Sequence, residues 1–346
     1  MNKKTILIIG GAGFIGINNA DYLLSRKYKV ILADNLSRRG SMNNLKWLYG
    51  KWGESFEFVR LDITKNLNKL ASLIERVDVV YHFAAQVAVT TSVINPRKDF
   101  QNNVLGTFNV LEAIRNSSNK PALLYSSTNK VYGNMETAKI MLTKKGYRYA
   151  DFNGITETQL LDFHSPYGCS KGAADQYVRD YSRIYGLKTI VFRQSCIYGT
   201  HQFGVEDQGW VAWFAISAIL DKPITIFGDG FQSRDILYVD DLCKLYELAV
   251  RNILRVSGNI YNVGGGPQNI KSVIETIHIL ERILRKKISY SFSKSRPGDQ
   301  KIYVSDIRKV GKDLNWKPQV KFDKGLERLI LWIRSEEKTL RTLNKK

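Results

Sequence analysis

Thr5-Ile-Leu-Ile-Ile-Gly10-Gly-Ala-Gly-Phe-Ile-Gly16 decides the fold. Five residues, four of them consecutive aliphatics, suit a strand buried on both faces, as in a parallel sheet. The glycines follow at once and a helical stretch then runs through Arg26. In that position glycine permits a tight turn and a close approach of backbone to a pyrophosphate, whose charge is met by the positive end of the helix. Gly10, Gly13 and Gly16, with Phe14 and Ile15 between them, are therefore expected to hold a dinucleotide. A second strand at 29–33 ends in Asp34-Asn35, 18 residues beyond Gly16, where a carboxylate can accept from ribose hydroxyls. Arg38 and Arg39 could instead meet a 2′-phosphate. Because the acid occupies the discriminating position, NAD is the expected cofactor.

Outward from this unit, apolar runs at 56–61, 77–83, 122–126 and 189–192 alternate with helical spacing at 67–74, 104–114 and 173–185. Strands and helices alternating at these lengths imply βαβ units and a doubly wound parallel α/β sheet. Pro96 suits the first turn of a helix. Asp62-Ile63 and Ala84-Ala85 follow the third and fourth strands and are expected on the cofactor side, as are Ser37 and Arg38. After about Gln194 the rhythm becomes irregular. Helices are expected at 210–220, 240–252, 270–284 and 324–335, with strands at 224–227 and 259–263. The reading is a dinucleotide-binding domain over 1–193, a smaller α/β lobe mainly for substrate over 194–336, and a basic, frayed tail over 337–346.

Tyr167-Gly-Cys-Ser-Lys171 places a phenol and an ammonium four residues apart on one helical face. Free tyrosine titrates near pH ~10, so it works as a base only when cations favour the phenolate. Tyr290 and Lys294 share that spacing but lack its context. Tyr167 opens the helix after the fifth strand, and that strand ends in Ser126-Ser127-Thr128. Hydroxyls at the carboxyl edge of such a sheet face the cofactor crevice, so Thr128, Tyr167 and Lys171 are the candidate catalytic residues.

The bulk composition narrows the alternatives. A net charge of +20 is concentrated late, with 20 Lys and Arg against 9 Asp and Glu from Lys271 to Lys346. No basic stripe with interleaved aromatics accompanies it, so nucleic acid is not an expected partner. The charge either attracts a polyanionic small substrate or forms a solvated basic face. No apolar run reaches the ~18 residues of a membrane span, and the run at 5–9 is too short for a leader peptide. A cytoplasmic protein is expected. Cys169, Cys196 and Cys243 are too few and scattered for a disulfide framework or zinc site, and no metal is expected.

Over nearly its full length the chain resembles the extended short-chain dehydrogenases/reductases, the NAD-dependent epimerase/dehydratase family, which have a Rossmann-type sheet. The resemblance rests on residues 10–16, Asn103-Val-Leu-Gly-Thr107, Ser126-Ser-Thr-Asn-Lys-Val-Tyr-Gly133 and 167–171. Ser233-Arg-Asp235 with Val239-Asp-Asp241, and Arg296-Pro-Gly-Asp299, extend it. It implies that Asn103 helps to position the catalytic lysine beside the cofactor. It also implies that Arg234 and Arg296 grip a nucleotide-sugar pyrophosphate, with Gln86, Asn129 and Cys196 on the sugar side. The family's 4,6-dehydratases carry Asp-Glu after the threonine; Asn129-Lys130 here argues against elimination. Residues 34–41, 127–133 and 206–214 look like the 2-epimerases of CDP-linked dideoxyhexoses, which serve bacterial surface polysaccharide. An isomerase acting on a nucleotide sugar, as a homodimer or homotetramer, is thus implied. A UDP- or GDP-hexose 4-epimerase is the nearest alternative, and a non-catalytic NAD-binding regulator a more distant one.

Overall fold

The aliphatic side chains of Thr5–Ile9 leave no solvent-facing side: Ile6 and Ile8 enter one core cluster, Leu7 and Ile9 another. Alternation along a strand divides them this way, and each fully buried side chain contributes about 1.5–3 kcal/mol. A computed structural model describes residues 4–343 except Pro297. Around this strand a seven-stranded parallel sheet is built in the order Ile260–Val263, Thr189–Gln194, Ala122–Thr128, Val79–His82, Thr5–Ile9, Lys29–Asp34, Glu57–Arg60. Chain order reverses between Thr5–Ile9 and Val79–His82. That reversal opens a crevice at the carboxyl ends of the two strands.

The helices Leu67–Ile74, Gly106–Asn116 and Ser165–Tyr185 cover one face of the sheet with Leu70, Leu73, Val110, Leu111 and Val178. On the other face lie Phe14–Ser25 and Val239–Arg251, joined by a hydrogen bond from the Tyr22 hydroxyl to Glu247 Oε2 at 2.9 Å. Two elements expected in the second lobe thus belong to the first layer. Strand Ile260–Val263 is an edge of the large sheet and helix Val239–Arg251 lines its face. The chain returns from the lobe to complete the sheet.

The rest of the later chain forms smaller sheets. Ser233–Tyr238 pairs in parallel with Cys196–Tyr198 and Ile302–Tyr303, and antiparallel with Ile270–Ser272. Ile224–Phe227 pairs with Tyr290–Ser293, and Ile140–Thr143 with Gly146–Tyr149.

Two local expectations change and one helix is added. The stretch 270–284 is a short strand followed by helix Val273–Leu284, whose first turn is capped by Ser272 Oγ accepting from Glu275 N at 3.2 Å. Helix Ser41–Trp52, unassigned in the sequence reading, lies between the second and third strands. The tail is not frayed over Glu337–Leu343, which is helical and buries Leu340; residues 344–346 lie outside the described residues. No helix among the described residues is long and apolar enough to cross a membrane.

Candidate active site

Gly10 leaves the first strand at φ +82°, its N–H donating to Ala33 O at 2.8 Å. A Cβ on Gly10 would meet Ala84 N at 2.6 Å, and one on Gly16 would meet Gly10 O at 2.3 Å. Glycine is therefore required by contact as well as by conformation. Gly13 precedes helix Phe14–Ser25 and provides no side-chain cap, which leaves N–H groups at the helix start for a ligand. Asp34 Oδ2 accepts from Ala12 N at 3.0 Å and Oδ1 from Leu36 N at 2.7 Å. Burial raises its carboxyl above the ordinary range, while these N–H groups and Arg38 pull the other way.

The crevice is lined by Gly10, Gly13, Phe14, Ile15 and Gly16, then by Asp34, Asn35, Ser37 and Arg38. Asp62, Ile63, Ala84 and Ala85 continue the wall, and Ser126, Tyr167 and Lys171 also line it. Asn103 alone among the expected cofactor residues is off this wall; Asn102 is on it. Asn103 Oδ1 accepts from Gln86 N at 2.8 Å, and its Nδ2 donates to Gln86 O at 3.1 Å and Ser170 Oγ at 2.9 Å. It thus pins the Gln86 loop to helix Ser165–Tyr185, beside Lys171. It does so from a π-helical turn, Gln101–Leu105, a geometry frequent at functional sites.

Helix Ser165–Tyr185 sets Tyr167 and Lys171 one turn apart. Lys171 Nζ donates to Ser126 O at 2.6 Å and lies 4.3 Å from the centre of the Tyr125 ring. Burial holds its ammonium down to about 7, against the pull of Asp175 and Asp99. Burial likewise pushes the Tyr167 phenol up to about 12, opposed by a hydrogen bond with Thr128 and by the charge of Arg38. Buried in this way, the phenol needs nearby positive charge to act as a base at neutral pH. Tyr290, by contrast, lies on a strand.

The residues expected to hold substrate separate into groups. Asn129 Nδ2 donates to Gln300 Oε1 at 3.1 Å, and Arg234 Nη2 donates to Gln300 O at 2.7 Å, which joins the two around one loop. Arg296 lies apart, 2.9 Å from Asp207 and donating to Glu206 O at 3.2 Å. Cys196 is kept a neutral thiol by burial, with Arg234 and Trp210 beside it. Gln86 closes its amide on Ala88, donating to Ala88 O at 2.7 Å and accepting from Ala88 N at 3.0 Å.

Two sets of residues escaped the sequence reading. His201 to Val205 and Gln208 reach the cofactor crevice from the second half of the chain, and Arg38 Nη2 donates to Gln208 Oε1. Lys130 and Asp299, 3.7 Å apart, stand beside Asn129 and Arg234. Gln208, Lys130 and Asp299 lie in stretches quoted above (206–214, 126–133 and 296–299), but nothing local in those stretches shows these contacts.

A cradle that a Cβ would fill, a half-buried acid at the end of the second strand and a buried Tyr–Lys pair fit a nicotinamide dinucleotide. Known proteins agree. A family model described as GDP-mannose 4,6 dehydratase matches residues 7–329. A CDP-paratose 2-epimerase of Salmonella typhi is 44% identical over 338 residues, 95% of this chain and 99% of that protein. The crystal structure of UDP-glucuronic acid 4-epimerase from Bacillus cereus, in complex with UDP-glucuronic acid and NAD, matches with a TM-score of 0.82 at 29% identity. The match covers 96% of this chain and 99% of that one. A UDP-glucose 4-epimerase of Thermus thermophilus, in complex with NAD, gives 0.81 at 29% identity over 95% and 99%. Sequence, sheet order and crevice together make this chain a member of the NAD-dependent epimerase/dehydratase family, the extended short-chain dehydrogenases/reductases.

Proposed function

We propose that the chain inverts C2 of CDP-paratose to give CDP-tyvelose, in the cytoplasm, for bacterial surface polysaccharide. The observation that carries this reading is the near-complete, 44% identical match to a CDP-paratose 2-epimerase. Asn129-Lys130 after Thr128 supports it, because neither side chain replaces the acid–base pair that elimination needs. NAD, held along the glycine loop with its adenosine at Asp34, supplies a reversible hydride acceptor. Tyr167 takes the proton of the C2 hydroxyl, and Thr128 hydrogen-bonds at the same oxygen. The Lys171 ammonium stabilises the phenolate. Arg234 and Arg296 hold the nucleotide end while the flat 2-keto sugar turns over. The hydride that left C2 for the cofactor comes back to the opposite face of the carbonyl as Tyr167 returns the proton, so C2 is inverted and the cofactor is restored.

Presence of both Tyr167 and Lys171 argues against a non-catalytic NAD-binding regulator. An exposed aromatic seam of Phe108, Tyr177 and Tyr185 on helices Gly106–Asn116 and Ser165–Tyr185 supports a homodimer or homotetramer. Proton NMR of the purified protein with CDP-paratose, and no added NAD, tests the proposal. Ring couplings of the C2-inverted sugar should appear. An unchanged spectrum with and without NAD removes this substrate, and turnover of UDP- or GDP-hexoses would establish the 4-epimerase reading instead.

A further inference from the structure

Lys130 is a half-buried cation two residues beyond Thr128, where the fifth strand ends. Its backbone N–H donates to Thr128 Oγ1 at 3.2 Å, so its position is tied to the residue at the reacting oxygen. Its Nζ donates to Gly298 O at 3.1 Å and faces Asp299 Oδ1 at 3.7 Å. The same Asp299 oxygen is 3.5 Å from Arg234 Nη2. Two cations from separate elements, the turn Asn129–Tyr132 and the strand Ser233–Tyr238, thus converge on one carboxylate. Asp299 is 37% exposed, whereas the Lys130 and Arg234 side chains are 19% and 14% exposed. Two largely dehydrated cations sharing one partly hydrated anion leave a positive charge unmatched, at distances too long for good ion pairs.

We propose that Lys130 is a substrate-recognition residue whose ammonium, with the Arg234 guanidinium, binds the diphosphate of the nucleotide sugar in place of Asp299. This rests on the reading of a nucleotide-sugar substrate but not on which nucleotide or sugar it is. A dianionic diphosphate balances the two cations that a single carboxylate leaves in excess. Thr128 two residues away puts the sugar-side phosphate next to the proton-transfer site. Burial holds the Lys130 amine down to about 8, with Arg234 adding to the effect and Asp299 opposing it; these are the charged groups that face it. Binding of a dianion favours the ammonium. Affinity should therefore be level below pH 8 and fall as the pH rises through that value.

Calorimetric titration of the NAD-loaded protein with CDP, UDP and GDP tests this. Lys130→Met should weaken the preferred diphosphate about tenfold to a hundredfold, the loss of one charge-assisted contact. Bound NAD should be unchanged, since Lys130 is not on the cofactor wall. Lys130→Arg should keep most of the affinity and abolish its decline above pH 8, which a purely structural lysine would not produce. Unaltered affinity in Lys130→Met, or the same pH decline in Lys130→Arg, overturns the assignment. Preference for UDP or GDP would remove the CDP reading while leaving the Lys130 comparison intact, made with that nucleotide. An NAD-loaded chain that binds none of the three overturns both.

Discussion

In the proposed reaction Lys171 meets opposing demands, since its ammonium is to stand beside the phenol while its surroundings are dry. Folding lowers its pKa from the ordinary ~10.4 to about 7, so the unfolded chain binds more protons between those values. The cost of the buried ammonium is therefore complete below pH 7 and fades as the pH rises toward the unfolded value. Lys171→Met should raise the melting temperature more at pH 6 than at pH 9, while turnover is lost. Tyr167→Phe should retain NAD, lose turnover by about 10²–10⁴-fold and show no such pH-dependent gain. Calorimetry at the two pH values, with rates on the same samples, checks both. A Lys171→Met variant less stable than the parent at pH 6 would contradict the account of this residue.

At the scale of elements, helix Ser165–Tyr185 is fixed to the sheet by a buried ion pair. Arg193 on strand Thr189–Gln194 donates through Nε and Nη2 to the two carboxylate oxygens of Asp175, each at 2.9 Å. Ser127 Oγ donates to the same carboxylate at 2.7 Å, and Arg193 Nη1 donates to the Tyr132 hydroxyl at 3.0 Å. Asp175 lies one turn beyond Lys171, so this network sets the helix that carries the site. Arg193→Met leaves the carboxylate buried and uncompensated and should cost about 3–5 kcal/mol in urea unfolding. An unchanged midpoint would show that the pair is dispensable.

Elements also differ in how readily they are read. The central strands Thr5–Ile9 and Val79–His82 were legible because both their faces are covered and their residues are mostly apolar, whereas the edge strand Glu57–Arg60 has a charge at each end. Helix Ser41–Trp52 was not, although its buried residues Ser41, Asn44, Leu45 and Leu48 keep the helical period. Half of those inward positions are polar: Asn44 Nδ2 donates to Ala12 O at 3.1 Å, so hydrophobicity alone misses the pattern. The division at 270–284 was marked in principle by Ser272-Val-Ile-Glu275, a capping-box spacing that ends a strand and begins a helix.

Across the whole molecule, the glycine loop, Asp34 and the Tyr–Lys pair were readable because each is a local pattern tied to one turn or helix. The remaining walls come from distant segments. Gln208 reaches Arg38 at the cofactor crevice, while its neighbour Asp207 holds Arg296, and Gln300 reaches back to Asn129. Only the completed fold joins these pieces, and it links the proposed nucleotide grip to the cofactor cleft through one loop. The central claim is that C2 is oxidised and reduced again within a single closed site. CDP-paratose carrying deuterium at C2 tests it most directly, with the product examined by mass and NMR after turnover in ordinary water. The account predicts C2-inverted product that retains the deuterium at C2. Inverted product with that position washed out to protium would contradict it and require deprotonation at carbon instead.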